Sequence, residues 1–265
     1  MRGEHFVQSL ERGLAVIRAF GADDPELTLS DVARRTGLTR AAARRFLLTL
    51  ADLGYVRSDG RLFALTPRVL DLGVAYVRSQ GLWDIARPHM AELSAATGES
   101  CSVAQLDGSD IVYVARVAVP KIVALTVQIG TRFPALQTSL GKVLLAALTP
   151  AEVDEVLGEP TRSGLTARWQ PDRAEREAEL TEVRARGWAL TDQQLALGIR
   201  SVAAPLRDGA GRVIGALNVN THAAETPVDH LLGHHLPLLL TAAGEISADF
   251  ARVAAVPHVT RTAAS

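Results

Sequence analysis

Leu29–Leu65, LSDVARRTGLTRAAARRFLLTLADLGYVRSDGRLFAL, predicts two helices, a tight turn and a hairpin. Thr28 followed by Asp31 has the spacing of a capping box, and Gly37 falls where a helix of about two turns needs a residue tolerant of positive φ. Thr39 caps a second helix. Its Ala43, Phe46, Leu47, Leu50 and Leu53 recur at spacings of three and four and are assigned to the core, leaving Arg40, Ala41, Arg44, Arg45 and Leu48 on the opposite face. Asp59-Gly60 sits between two β-forming runs, and its turn needs positive φ. Helix, turn, helix and hairpin are the outline of a winged helix-turn-helix, whose second helix suits a major groove.

Charge sharpens this outline. Between Arg34 and Arg61 seven arginines stand against Asp52 and Asp59, a local net of +5 in a chain of net charge -1. Residues 1–66 carry +2 and the remainder -3, so affinity for nucleic acid belongs to the N-terminal part. Thr39, Arg40, Ala41, Arg44 and Arg45 are the candidates to meet DNA, with Arg57 and Arg61 flanking the hairpin tip for phosphate contact. The same pattern also serves a protein-docking module with a solvated arginine face.

A chain of 265 residues predicts about two domains, and 48% hydrophobic with 22% charged residues describes an ordinary globular protein. Cys101 is the single cysteine, which excludes an internal disulfide and fits a reducing compartment. The charged start (Arg2, Glu4, His5) argues against a secretory signal, and no run of ~18 apolar residues predicts a membrane span. The expected location is cytoplasmic.

Outside the opening stretch, residues 8–20 predict a supporting helix through Leu10, Leu14, Val16 and Ile17. Thr66-Pro67 starts a linker helix, and residues 82–97 predict another helix. The period then changes to two, with strands at 102–106, 111–117 and 123–129. Helices at 138–148, 150–157 and 171–186, strands at 201–206 and 213–220, and a closing helix at 227–253 complete the pattern. The expected fold is two-domain α+β: a winged helix-turn-helix at 6–66, a linker helix at 67–83, a domain of GAF or profilin-like type with an antiparallel sheet at 84–253, and a disordered tail at 254–265.

The segments FVQSLERGLAVIRAF, TLSDVARRTGLTRAAARRFLLTLADLGYV, LTPRVLDLG, ESCSVAQLDGSDIVYVAR, TSLGKVLLA and DQQLALGIRSVAAPLRD resemble the IclR family of transcription regulators across nearly the whole chain. FVQSLERGLAVI, AAARRFLLTL, TPRVL and the ESCSVAQLDG segment are similar to the branch that controls aromatic-acid catabolism through the β-ketoadipate pathway; PALQTSLGK departs from that branch at Gln137 and Leu140. The resemblance implies a homodimer or homotetramer on a palindromic or repeated double-stranded operator, regulated by a small organic acid in the C-terminal domain, with no cofactor. It also implies a pocket at Ser139, Leu140, Thr191, Ser201, Asn218 and Asn220.

The residues themselves support part of that pocket. The N-terminus of the 138–148 helix would attract a carboxylate, with Ser139 adding a hydroxyl. Asn218 and Asn220 share a strand face with Ile214 and Ala216, where two amides need partners: a polar ligand, with Ser201 joining from the paired strand, or simply loops and water. Arg116, Arg132 and Arg200 could neutralise a further carboxylate or lie at the surface or an interface.

The alternative is an enzyme acting on an aromatic or keto acid with an accessory winged-helix module. Ser139-Leu140-Gly141-Lys142 has S-x-x-K spacing, but S-D-N and K-T-G are absent. Gly209-Ala210-Gly211 precedes a period-two strand instead of a helix, which reads as a hairpin. His230 and His234 share a helix face without the Glu of H-E-x-x-H, and Cys101 falls in a strand. No catalytic residue or metal ligand is assigned.

Overall fold

A computed structural model describes residues 5–21, 23–73, 81–120 and 127–254. The chain divides into two compact units, Met1–Ser79 and Gln80–Ser265.

The first unit runs α1 (Gln8–Arg18), β1 (Glu26–Thr28), α2 (Leu29–Thr36), α3 (Arg40–Asp52), β2 (Val56–Ser58) and β3 (Leu62–Leu65), with an antiparallel sheet ordered β1-β3-β2. Thr28 and Asp31 form the expected capping box at the start of α2. Gly37 ends the helix at φ 66, a left-handed backbone in which a Cβ is strained, and Thr39 Oγ1 accepts from Ala42 N at 3.2 Å to start α3. Asp59 Oδ1 accepts from the Arg61 and Leu62 amides at 2.9 and 2.7 Å, which closes the hairpin. Val16, Val32, Ala33, Ala43, Leu47, Leu50 and Val56 form the core.

Three details differ from expectation. β1 is too short to announce itself by alternation; it forms because Leu27 is buried opposite Phe63 while Glu26 and Thr28 point away. Leu53 is 52% exposed because α3 has already ended when it is reached. Leu10 and Leu14 are also exposed, since α1 turns Val16 and Ile17 to the core instead. Thr66 caps a single 3₁₀ turn, Pro67–Val69, and residues 70–73 continue as helix. Of the expected linker helix at 67–83, residues 74–80 lie outside the described residues, Gly81 is left-handed at φ 61, and Leu82 and Trp83 open the next helix. Of the expected tail at 254–265, Ala254 still ends a helix and the rest lies outside the described residues.

The second unit contains α4 (Leu82–Thr97), β4 (Ser100–Asp107), β5 (Asp110–Val117), β6 (Arg132–Pro134), a 3₁₀ turn (Ala135–Gln137), α5 (Ser139–Ala146), α6 (Pro150–Gly158), α7 (Arg173–Arg186), β7 (Ala189–Asp192), β8 (Ile199–Arg207), β9 (Val213–His222), α8 (Val228–His230), a π-helical turn (Leu231–His235) and α9 (Leu236–Ala254). The strands form one antiparallel sheet ordered β6-β5-β4-β9-β8-β7. α4 and α9 pack together and against the sheet, while α5 packs on β4, β8 and β9 with α7 behind it. Alternation sorts the strands: Ala104, Ala203 and Ala216 join Leu140, Val143, Leu144 and Leu180 in the core beneath α5, and the buried Val103, Val202, Leu217 and Val219 take the opposite face.

The strand expected at 123–129 is displaced. Residues 121–126 lie outside the described residues, residues 127–129 are not strand, and the β5 partner is Arg132–Pro134. A turn closed by Thr131 N to Gln128 O at 3.0 Å, with Gly130 at φ 89, separates them. α7 begins at Arg173 because Asp172, not Pro171, supplies the cap. Among the described residues no helix is long and apolar enough to cross a membrane.

Candidate nucleic-acid interface and effector cavity

In the first unit all seven nominated side chains, Thr39, Arg40, Ala41, Arg44, Arg45, Arg57 and Arg61, are exposed. Their electrostatic state divides them. Arg57 is held by Glu26 at 3.0 Å, Arg34 by Asp31 at 2.8 Å and Arg35 by Asp24 at 2.5 Å. Arg40, Arg44, Arg45 and Arg61 have no carboxylate partner among the described residues. α3 carries no acid in its first turn and an arginine at its first position, so the positive end of the helix dipole and a guanidinium coincide with nothing to offset them. Such a terminus favours an anion.

In the second unit the nominated residues meet through sheet register. Thr191, Ser201 and Asn220 lie directly opposite one another across β7, β8 and β9, and Asn218, Ser102 and Arg116 do so across β9, β4 and β5. These two adjacent rows share the α5 face. Ser201 Oγ lies 2.9 Å from Thr191 Oγ1 and 2.7 Å from Ser139 Oγ at the start of α5. Asn218 Oδ1 accepts from Ser102 N at 3.1 Å, and its Nδ2 has no partner among the described residues. Thr191, Ser201, Asn218 and Asn220 line one small cavity together with Tyr113, Phe133, Gln137, Thr138, Leu195 and Ile199. Its volume is ≈ 10 Å³, room for about one water.

The other two nominated residues stand differently. Ser139 reaches the cavity wall only through its bond to Ser201, and the Leu140 side chain is fully buried in the core, away from the cavity. What α5 presents is its N-terminal backbone, capped by Thr138 Oγ1 accepting from Gly141 N at 3.0 Å. Gly141 is required by close approach: a Cβ there would lie 2.0 Å from Ala135 O. Helix and 3₁₀ turn are thereby seated against each other.

Tyr113 and Phe133, edge-to-face at 5.8 Å, were not anticipated as lining residues. Strict alternation puts Tyr113 and Arg116 on opposite faces of β5, but the register slips between Val103 and Ala104, leaving Val114 without an opposite residue. That bulge turns both toward α5. A period-two pattern carries no signal of it.

Two of the three arginines left open by the sequence are accounted for. Arg200 is bidentate to Asp192 at 2.9 and 3.0 Å and donates to Thr226 O, and Arg132 pairs with Asp107. Arg116 donates to Ser102 Oγ at 3.0 Å and has no carboxylate partner among the described residues. Burial pulls its pKa below the usual guanidinium value, the mark of a charge lacking its counterion.

The S-x-x-K pair does not assemble. Lys142 Nζ is bound to Glu179 at 2.6 Å and lies 4.6 Å from the Trp169 ring centroid, while Ser139 faces Ser201. Burial pushes the Cys101 thiol up to about 12, so it is a packing group. His230 stacks on His234 and meets His235 edge-to-face, and among the described residues no cluster of His, Cys, Asp or Glu is arranged to hold a metal.

A winged helix-turn-helix whose second helix carries arginines with no carboxylate partner among the described residues, followed by an α+β unit, defines the class of DNA-binding regulators. Residues 9–60 match the IclR helix-turn-helix domain and residues 74–248 match the C-terminal domain of the bacterial transcriptional regulator IclR. The chain belongs to the IclR family of transcription regulators. It is 41% identical over 91% of its length to the Pca regulon regulatory protein of Pseudomonas putida, covering 83% of that protein. It is 35% identical over 93% of its length to the p-hydroxybenzoate hydroxylase transcriptional activator of Acinetobacter baylyi, covering 93% of it. Among solved structures, a transcriptional regulator from Rhodococcus sp. RHA1 superposes with a TM-score of 0.82 at 49% identity, covering 94% of this chain and all of that one. These relatives are regulators, which sets the enzyme reading aside.

Proposed function

We propose that residues 6–66 bind an operator through α3 and the hairpin, and that residues 84–253 sense a small organic acid, an aromatic acid or β-ketoadipate pathway intermediate, that changes this binding. The relatives that govern Pca and p-hydroxybenzoate genes support that effector class. Arg40, Arg44 and Arg45 enter the major groove with Thr39 and Ala41, and Arg61 reaches phosphate; Arg57, held by Glu26, contributes less. On this reading the chain works in the cytoplasm as a homodimer or homotetramer on a palindromic or repeated site, a form that its family resemblance supports.

One observation carries the effector reading. Arg116 is a partly buried cation with no counterion among the described residues, in register with Asn218 and beside hydroxyls and amides that line a small cavity. An acid places its carboxylate at Arg116 and its other polar groups on Asn218, Asn220, Ser201 and Thr191, with the α5 N-terminus adding backbone donors. Because the cavity holds about one water, a ring-sized acid enters only when the 193–198 loop, which carries Leu195, swings aside. The test is a thermal-shift screen of the full chain against 4-hydroxybenzoate, protocatechuate and β-ketoadipate, with gel shift of its upstream DNA in the presence of each hit. At least one acid should both stabilise the chain and alter the shift. Stabilisation by none of them, with DNA binding intact, rejects the effector class.

A further inference from the structure

A second cavity lies behind the 3₁₀ turn at Ala135–Gln137. It is far larger than the first, ≈ 370 Å³, within the range of small-molecule sites. Its walls come from the β4–β5 turn, the 3₁₀ turn, the end of α6 and the first turn of α7. Pro134, Leu136, Leu157 and Pro171 make much of its surface apolar.

Two hydrogen-bond donors on this lining have no acceptor among the described residues. Ser109 is 9% exposed, and its Oγ is buried with no hydrogen-bond partner. Arg176 spends Nη2 on Asp154 at 2.5 Å and Glu177 at 2.9 Å, yet its Nε is likewise buried and unmatched. Buried polar groups are rarely left so, and two in the wall of one cavity ask for the same complement, an oxygen that accepts. The nearby carboxylates do not supply it: Asp172 is occupied as the α7 cap, and Glu159 is exposed at the rim.

We propose that this cavity is a second ligand site, which takes a single-ring aromatic carboxylate with its oxygens toward Ser109 and Arg176 and its ring among the prolines and leucines. It stands independently of the inner cavity. Gln137 lines both cavities and donates to Trp169 O at 3.1 Å, and the 3₁₀ turn has no slack against Gly141. A ligand in the outer cavity therefore presses on the turn that seats α5 and its Ser139–Ser201 contact.

The experiment is ¹⁹F NMR of the full chain with 4-fluorobenzoate at millimolar concentration, comparing the parent with Ser109→Ala, Leu157→Trp and Asn218→Ala. Folding of each variant is checked by its melting transition, and Ser109→Ala carries the test if Leu157→Trp does not fold. The expected result is a bound signal weakened about tenfold or more by Ser109→Ala, worth about 1.4 kcal/mol, abolished by Leu157→Trp, and retained in Asn218→Ala. Absence of any bound signal in the parent, or one indifferent to Ser109→Ala, overturns the proposal. So does a signal lost only in Asn218→Ala, which would place the ligand in the inner cavity.

Discussion

Replacing Arg116 by Gln separates the cost of a buried charge from its use. In the ligand-free chain the guanidinium makes one hydrogen bond, to the uncharged Ser102 Oγ at 3.0 Å, and is partly desolvated without a carboxylate among the described residues. Gln keeps a donor for Ser102 and removes the charge, so the ligand-free variant should be as stable as the parent or more stable by about 1 kcal/mol. Toward an acid the effect reverses. A charge-assisted hydrogen bond contributes about 1.5–3 kcal/mol, so losing one at about 2 kcal/mol raises Kd about 30-fold. Calorimetric titration with 4-hydroxybenzoate and with 4-hydroxybenzamide makes the comparison internal: the parent should prefer the acid strongly, and Arg116→Gln should lose that preference while binding the amide as before. An acid affinity unchanged within about twofold, or an equal loss for acid and amide, refutes the assignment of Arg116 as the carboxylate partner.

Two further outcomes follow from the same reasoning. Arg40→Ala with Arg44→Ala should weaken operator binding and reduce the slope of log K against log salt by about 2, with no change in melting temperature, because neither guanidinium has an ion pair to lose within the described residues; an unchanged slope, by fluorescence anisotropy across a salt series, moves the reading surface elsewhere. Lys142 is held below its ordinary pKa, first by burial and against the pull of Glu179. The unfolded chain therefore binds more protons between the lowered and the ordinary lysine pKa, and stability rises with pH through that alkaline window. Lys142→Met should remove the rise, measured by urea melts; a slope identical to the parent's assigns it to other groups.

The local grammar of the first unit was written in residues that act on their neighbours. Thr28 with Asp31, Gly37, Thr39 and Asp59-Gly60 each fix a cap or turn within three or four positions, so the helix-turn-helix and its hairpin could be read from the chain alone. The sequence also located the arginine surplus. It could not say which arginines were free, because the partners of Arg35 and Arg57, Asp24 and Glu26, come from a loop and a three-residue strand placed only by folding. The second unit shows the same division. Period-two runs and caps announced most strands and helices, and family resemblance nominated Thr191, Ser201, Asn218 and Asn220, which the sheet register brings together.

What only tertiary structure decided is where the charge and the empty space lie. The bulge opposite Val103/Ala104 puts Tyr113 and Arg116 on one face, against the alternation of their own strand. Asp192 claims Arg200 and Asp107 claims Arg132, which leaves Arg116 as the guanidinium without a carboxylate among these three. Gly141 seats closely on Ala135, and a small cavity and a large one share Gln137 beside that seat. Caps, turns and periodicity are interactions between residues a few positions apart and are therefore legible in order along the chain; ion-pair choice, strand bulges and cavities depend on which distant segments arrive together, and that is settled only in three dimensions.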